Sequence, residues 1–367
     1  MRIAIHLLSQ TGHGIGVVVG RLAGELATRG HDLTLLCSVA DEKPPALPTG
    51  VQVHTIGSAR ARDQIAPLVR LLRRQRPDVL MTTHVKYTDL AVLAMMVAGV
   101  RMPLVAVEHN ELSHELRHWG SWKAQPMRAV AAAAYRRTDA IVAVSRAVAD
   151  DVAVQLALDP ARIEVIYNPV INPAIGHQAA APTTHPWLQD NRALVVAAGR
   201  LAPQKDHATL LTAMSLVRRD VDARLAVLGE GPLQSSLDRL RAQLGLQDAV
   251  LLPGQVANPY PWLSHAAVVV SSSIYEGLPT ALVEALALGA PVVATDAGGS
   301  RELLGDGRFG RVTPPGDPVA LAAALHDCLT QPQQRPADIE DWLRQFTVEE
   351  AGGRYEALLC RAAGMGA

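Results

Sequence analysis

The chain has 367 residues, more than one hydrophobic core usually serves, so two domains with a sheet each are expected. A hydrophobic share of 49% beside 19% charged residues excludes a disordered chain, and a net charge of −1 excludes a global field that would draw it to nucleic acid or anionic lipid. Cys37, Cys328 and Cys360 form no CxxC, which argues against a disulfide framework or zinc ribbon and fits a reducing cytoplasm.

Ile3-Ala4-Ile5-His6-Leu7-Leu8 reads as a strand over 2–8, without the charged start, long apolar core and small-residue cleavage site of a secretion signal. No apolar run reaches the roughly 18–20 residues needed to cross a bilayer. Gly12-His13-Gly14-Ile15-Gly16 follows, and missing Cβ atoms there let a phosphate or sugar approach the backbone. A dinucleotide fingerprint needs GxGxxG, yet its last position is Val17 or Val19 depending on the frame. Leu36-Cys37-Ser38 closes the second strand without an acidic residue, so a dehydrogenase loses its support.

Onward, helices are expected over 17–29, 63–75, 87–98, 125–137 and 145–155, alternating with strands over 32–37, 51–55, 78–82, 103–107, 139–144 and 163–166; a proline-rich loop spans 41–48. Such alternation implies a mostly parallel sheet covered by helices on both faces. Glu108-His109-Asn110-Glu111 stands at a strand's carboxyl end, where His109 is placed to hydrogen-bond a sugar or a departing phosphate; the same His also suits a core position without a role. His114-Glu115-Leu116-Arg117-His118 spells HExxH, but the Glu or His expected as a third ligand does not follow before Glu164 and the segment reads as short and broken, so a zinc hydrolase is set aside. Arg70, Arg73, Arg74 and Arg76, with Trp119, Trp122, Lys123, Arg128, Arg136 and Arg137, suit either an anionic membrane surface or a solvated helix face.

Residues 173–191, rich in Pro and Ala, read as a linker between a first domain over 1–172 and a second over 192–345. In the second, strands are expected over 193–198, 224–228, 249–252, 267–271, 290–295 and 310–313, with helices over 206–218, 232–244, 259–265, 280–288 and 317–330. Gly199-Arg200-Leu201-Ala202-Pro203-Gln204-Lys205 joins a strand to a helix, and its two cations suit a diphosphate, Arg as a planar fork and Lys as a mobile point charge. Asp220-Val221-Asp222 resembles a metal-binding DxD but precedes its strand, which makes it a solvated turn. In Ser271-Ser272-Ser273-Ile274-Tyr275-Glu276-Gly277-Leu278-Pro279-Thr280, a loop carries Glu276 and Pro279 stands at a helix's first turn, whose N–H groups seat a phosphate. Glu276 and Glu284 are eight apart and both can face one ligand, although Glu284 also suits the dipole of its helix.

These motifs resemble those of family-four retaining glycosyltransferases, most densely from Gly199 to Gly310: Gly199-Arg200-Leu201 with Lys205, Gly229-Glu230-Gly231-Pro232, Glu276 through Glu284 as E-x7-E, and Ala290 to Gly299. The resemblance implies a GT-B fold, α/β, with two Rossmann-like doubly wound domains facing a central cleft, and a last segment, 346–367, that rejoins the first. It implies that Arg200 and Lys205 grip the donor diphosphate, Glu284 the ribose and Glu276 the sugar, with Gly277, Leu278, Pro279 and Thr280 helping. Gly14, Gly16, Gly199 and Gly229 then lie beside the donor, the base stacks near Val256, and His109 contacts the sugar. The expected reaction is transfer of a hexose or N-acetylhexosamine, UDP-linked by preference, to a saccharide or lipid-linked acceptor. It needs no metal, cofactor or protein nucleophile, and occurs in the cytoplasm or on the inner membrane face without nucleic acid. A sugar-nucleotide epimerase, a phosphorylase and a non-catalytic nucleotide-sugar binder are the alternatives.

Overall fold

The computed structural model describes residues 1–9, 14–40, 49–118, 121–183, 185–331 and 334–365, and it divides into two compact units, Met1–Pro169 with Phe346–Ala367, and Val170–Gln345. The first is built on β1 (Arg2–Leu7), β2 (Asp32–Cys37), β3 (Val51–Thr55), β4 (Val79–Thr82), β5 (Leu104–Glu108), β6 (Ala140–Ala143) and β7 (Ile163–Val165). All pair in parallel, in the order β3-β2-β1-β4-β5-β6-β7. β4 and β5 are buried along their whole length, so they read as unbroken apolar runs, whereas the edge strand β3 is largely exposed. The order reverses between β1 and β4, and in open α/β sheets ligands bind beyond the carboxyl ends of the strands at that switch.

The helix Val348–Ala362 packs on the helix Gly14–Thr28 in this unit. A Cβ at Gly352 would run into Glu25, so glycine permits the close approach, which Arg29 and His31 brace by bonding Glu356 at 3.0 and 2.9 Å.

The second unit carries β8 (Ala193–Ala198), β9 (Ala223–Leu228), β10 (Val250–Gly254), β11 (Val268–Ser271), β12 (Val292–Thr295) and β13 (Arg311–Thr313), parallel in the order β10-β9-β8-β11-β12-β13. Val195, Leu225, Val268 and Val293 from its strands pack with Leu210 and Leu325 from its helices. Its switch lies between β8 and β11.

Two expectations are corrected. Residues 173–191 are not a bare linker: they fold into the helices Ile175–Ala179 and Pro186–Gln189 inside the second unit, where Asn258 donates to the Gln178 carbonyl and the Trp187 ring lies under the Arg224 guanidinium. The HExxH segment is a helix, Leu112–His118, rather than a broken stretch. The proline-rich loop lies outside the described residues.

Candidate active site

In the second unit, the chain leaves β8 at Ala198 and turns through Gly199 and Arg200 into a 3-10 turn, Pro203–Lys205. Three carboxyl-end loops meet there. Gly199 N–H donates to the Leu228 carbonyl at 2.9 Å and Gly229 N–H to the Gly254 carbonyl at 2.9 Å. A Cβ at Gly229 would run into the Gly199 carbonyl oxygen, so the loop is glycine because two backbones touch. Val256, two residues beyond Gly254, is half-buried.

The loop after β11 is laced to this one by hydrogen bonds. Ile274 N–H donates to the Gln204 carbonyl at 2.8 Å, Gln204 Nε2 to the Tyr275 carbonyl at 2.9 Å, and Ser272 Oγ to the Lys205 carbonyl at 2.8 Å. Glu276, 6% exposed, accepts from Ser273 Oγ at 2.6 Å and from Lys205 Nζ. A buried carboxylate needs a partner of this kind, because an uncompensated charge in low dielectric costs several kcal/mol (about 3–5) when its counterion is removed. Gly298 presses on the loop from behind: its φ is 51°, a Cβ there would run into the Glu276 carbonyl oxygen, and Gly299 N–H donates to the Gly277 carbonyl at 3.1 Å.

Arg200 is exposed and forms no ion pair among the described residues. Gly277, Leu278 and Pro279 are buried and lead into the helix Thr280–Ala287, whose first N–H groups point outward along its axis. Glu284 is half-buried and accepts from Tyr260 Oη at 3.1 Å, so the two glutamates hold different protein partners. His207 is buried beside Lys205, and burial, with the Lys205 charge second, pulls its imidazole down to about 4.

In the first unit, β5 delivers Glu108 and His109. His109 is buried at 8% exposure; burial and then the His84 charge pull it down to about 4, so the ring is neutral, and its Nδ1 has no partner in the described structure. Burial pushes the Glu108 carboxyl up to about 7, and Tyr135 Oη donates to it. His84 Nδ1 accepts from Lys86 N–H at 3.1 Å, which leaves Nε2 to bond the Glu115 carboxylate at 2.6 Å. Glu115 is thereby engaged and His114 bonds Arg117 at 2.8 Å, while the His118 side chain lies outside the described residues. Among the described residues, three or more His, Cys, Asp or Glu side chains nowhere gather as a metal site would require.

Gly14 and Gly16 open the helix Gly14–Thr28; Gly12 and His13 lie outside the described residues. A Cβ at Gly14 would meet nothing within 4 Å, so packing does not explain that glycine. Sequence reasoning missed Ser273, Gly298, Tyr260 and the pair His84–Glu115. Ser273 carried a signal as a third serine between a strand end and Glu276, and Gly298 and Glu115 stood inside motifs already noted but without the contacts seen here.

Residues 12–171 match the model described as Glycosyltransferase Family 4, and residues 192–331 that of Glycosyl transferases group 1. The N-acetylgalactosamine-N,N'-diacetylbacillosaminyl-diphospho-undecaprenol 4-alpha-N-acetylgalactosaminyltransferase of Campylobacter jejuni is 33% identical over 177 residues, 48% of this chain and 47% of that one. The MMP alpha-(1->4)-mannosyltransferase of Mycolicibacterium hassiacum is 24% identical over 297 residues, 73% of this chain and 69% of that one. The chain thus spans about half the length of the first of these relatives. Anabaena HepE in complex with UDP and glucose has the same fold, with a TM-score of 0.79 at 22% identity over 98% of this chain and 99% of that one.

Proposed function

The chain belongs to glycosyltransferase family 4, and from that premise we propose that it moves a hexose or N-acetylhexosamine from a UDP-linked donor to a saccharide or lipid-linked saccharide acceptor, with retention and without a metal. The observation that carries the reading is the grouping of Lys205, Glu276 and Ser273 with the exposed Arg200 at the switch of the second sheet. Support for UDP comes from HepE, whose fold this chain shares and which binds UDP and UDP-glucose. Support for a lipid-linked acceptor comes from the Campylobacter relative, named for a diphospho-undecaprenol-linked saccharide. The cytoplasm, at the inner membrane face, is the proposed place of work.

In this reading Arg200 and Lys205 hold the diphosphate, helped by the N–H groups of Gly277, Leu278 and Thr280. The bond from the anomeric carbon to the diphosphate oxygen breaks, its electron pair stays on the diphosphate, and two preorganised cations stabilise the charge where it develops. The acceptor oxygen bonds the same face of that carbon and its proton passes to the leaving phosphate, so no protein nucleophile is assigned. Glu276 takes the hydroxyls of the donor sugar and Glu284 those of the ribose, while His109, being neutral, has a hydrogen bond to offer rather than a charge.

Calorimetry with UDP, GDP and ADP in the presence of EDTA tests this. One nucleotide should bind, and Arg200→Ala should weaken it about 10–100-fold, the value of one or two charge-assisted hydrogen bonds. If none of the three binds in EDTA, the metal-free transferase reading falls. Donor consumed without acceptor would replace it with an epimerase.

A further inference from the structure

A glutamate side chain has several rotatable bonds, so a carboxylate that must meet two neighbouring hydroxyls loses affinity unless the protein fixes its direction beforehand. Glu284 stands on the helix Thr280–Ala287 among Leu282, Val283, Ala285 and Leu286, all buried, and is itself half-buried. Its Oε1 accepts from Tyr260 Oη at 3.1 Å. A carboxylate has about four lone-pair sites, so one such bond orients the group without exhausting it.

Tyr260 is held from its own backbone outward. It opens the helix Tyr260–Ser264, which packs on both Ile175–Ala179 and Thr280–Ala287. Asn258 Oδ1 accepts the Tyr260 N–H at 3.1 Å and Asn258 Nδ2 donates to the Gln178 carbonyl at 2.8 Å, so one side-chain amide ties the tyrosine to the 173–191 segment. Tyr260 is 7% exposed, and Trp262 and Leu263 beyond it are buried as well. Apolar burial explains a ring at this position, and phenylalanine would supply it. The hydroxyl has a further reason, which is the carboxylate it reaches on the next helix.

We infer that Tyr260 is a positioning residue for the donor nucleoside: by holding the Glu284 carboxylate in one direction it sets the preference of the site for a ribonucleotide over a 2′-deoxyribonucleotide. The inference rests on the proposed function, in which Glu284 takes the ribose hydroxyls, and adds to it a residue that acts through Glu284 rather than on the substrate. A bond made only to join two helices would not call for a carboxylate, since burying one costs desolvation that an apolar pair does not.

Calorimetry of the full chain with UDP, GDP and ADP against their 2′-deoxy forms tests it. The wild type should bind one ribonucleotide roughly tenfold or more tighter than its 2′-deoxy form, the value of a hydroxyl bonded to a carboxylate. Tyr260→Phe should weaken that ribonucleotide about 3–10-fold and leave the 2′-deoxy form within about twofold, so that the ratio shrinks. With Glu284→Ala already in place, Tyr260→Phe should change neither affinity by more than about twofold, because the two residues act as one. Tyr260→Met also lacks the hydroxyl and gives the same readout should Tyr260→Phe fail to fold. A ratio unchanged in the folded Tyr260 variant, or equal losses for both nucleotides, overturns the proposal and leaves the donor reading standing. A wild type that binds both forms alike overturns it too, together with the ribose assignment of Glu284. If the wild type binds no nucleotide, the donor reading falls and takes the proposal with it.

Discussion

Gly298→Ala places a methyl group where the Glu276 carbonyl oxygen sits, at a residue whose φ of 51° already costs an alanine about 1–2 kcal/mol. Relief requires the 271–279 loop to move, and overpacking of this kind adds about 1–3 kcal/mol. The total, about 2–5 kcal/mol, corresponds to a fall in Tm of roughly 4–20 °C for a unit of this size. Function should fall with it, because the same shift carries Glu276 away from Lys205 and Ser273; UDP affinity is expected to drop at least tenfold. Gly14→Ala is the matched control. Its Cβ meets nothing and it stands at the first position of its helix, so its Tm should hold. If glycine is there to let a ligand approach the backbone, Gly14→Ala loses turnover without losing stability. Differential scanning fluorimetry and calorimetry on both variants decide the matter. A Gly298→Ala protein that melts within 1 °C of the wild type (about 0.3 kcal/mol) and binds UDP normally would refute the reasoning.

Lys205→Ala should lower stability by about 3–5 kcal/mol, because it strands the buried Glu276 carboxylate, and Lys205→Ala with Glu276→Gln should restore most of it; urea melts of the three proteins check this. The buried His6, His109 and His207, each pulled down to about 4 chiefly by burial, contribute stability present above the ordinary histidine range and lost as pH falls through 4. His207→Gln should therefore flatten the acid side of a Tm-against-pH curve. Glu108 works in the opposite sense: its carboxyl, raised to about 7, contributes stability below the ordinary carboxylate range that is lost as pH rises through 7. Glu108→Gln should melt higher than the wild type at pH 8 by an amount worth about 3 kcal/mol, a difference that vanishes toward pH 4.

The strands were legible because parallel strands buried on both faces are written as short runs of Val, Leu, Ile and Ala, and 193–198 coincides with β8 residue for residue. Arg200 and Lys205 were legible because the loop that follows such a run stands at a carboxyl end. Contacts between distant loops were not. Nothing in the sequence near Gly298 says that it leans on Glu276, and nothing near Glu115 says that His84, 31 residues earlier, will bond it. The Leu112–His118 helix was missed because Gly120 and Pro126 suggest breakage, whereas the helix ends before the first and a new one has already begun at the second. Residues 173–191 misled through composition: Pro and Ala suit a linker, but they also suit two short helices once Asn258 and Arg224 supply partners.

The two cations of the candidate site carry the same charge and differ in what they can give. Arg200 makes no ion pair among the described residues, so it can attract a diphosphate at no cost to the fold, and its effect belongs to capture. Lys205 is paired with Glu276, and a phosphate that shares its ammonium, which has three N–H donors, weakens that pair. The exchange is affordable if the donor sugar brings hydroxyl donors that replace Lys205 on the Glu276 carboxylate, with Ser273 still bonded to it. A nucleotide lacking the sugar offers no such replacement. Under the proposed function the ion pair is thus a discriminator: it favours an intact nucleotide sugar over a free nucleotide at a site the same contact stabilises when empty.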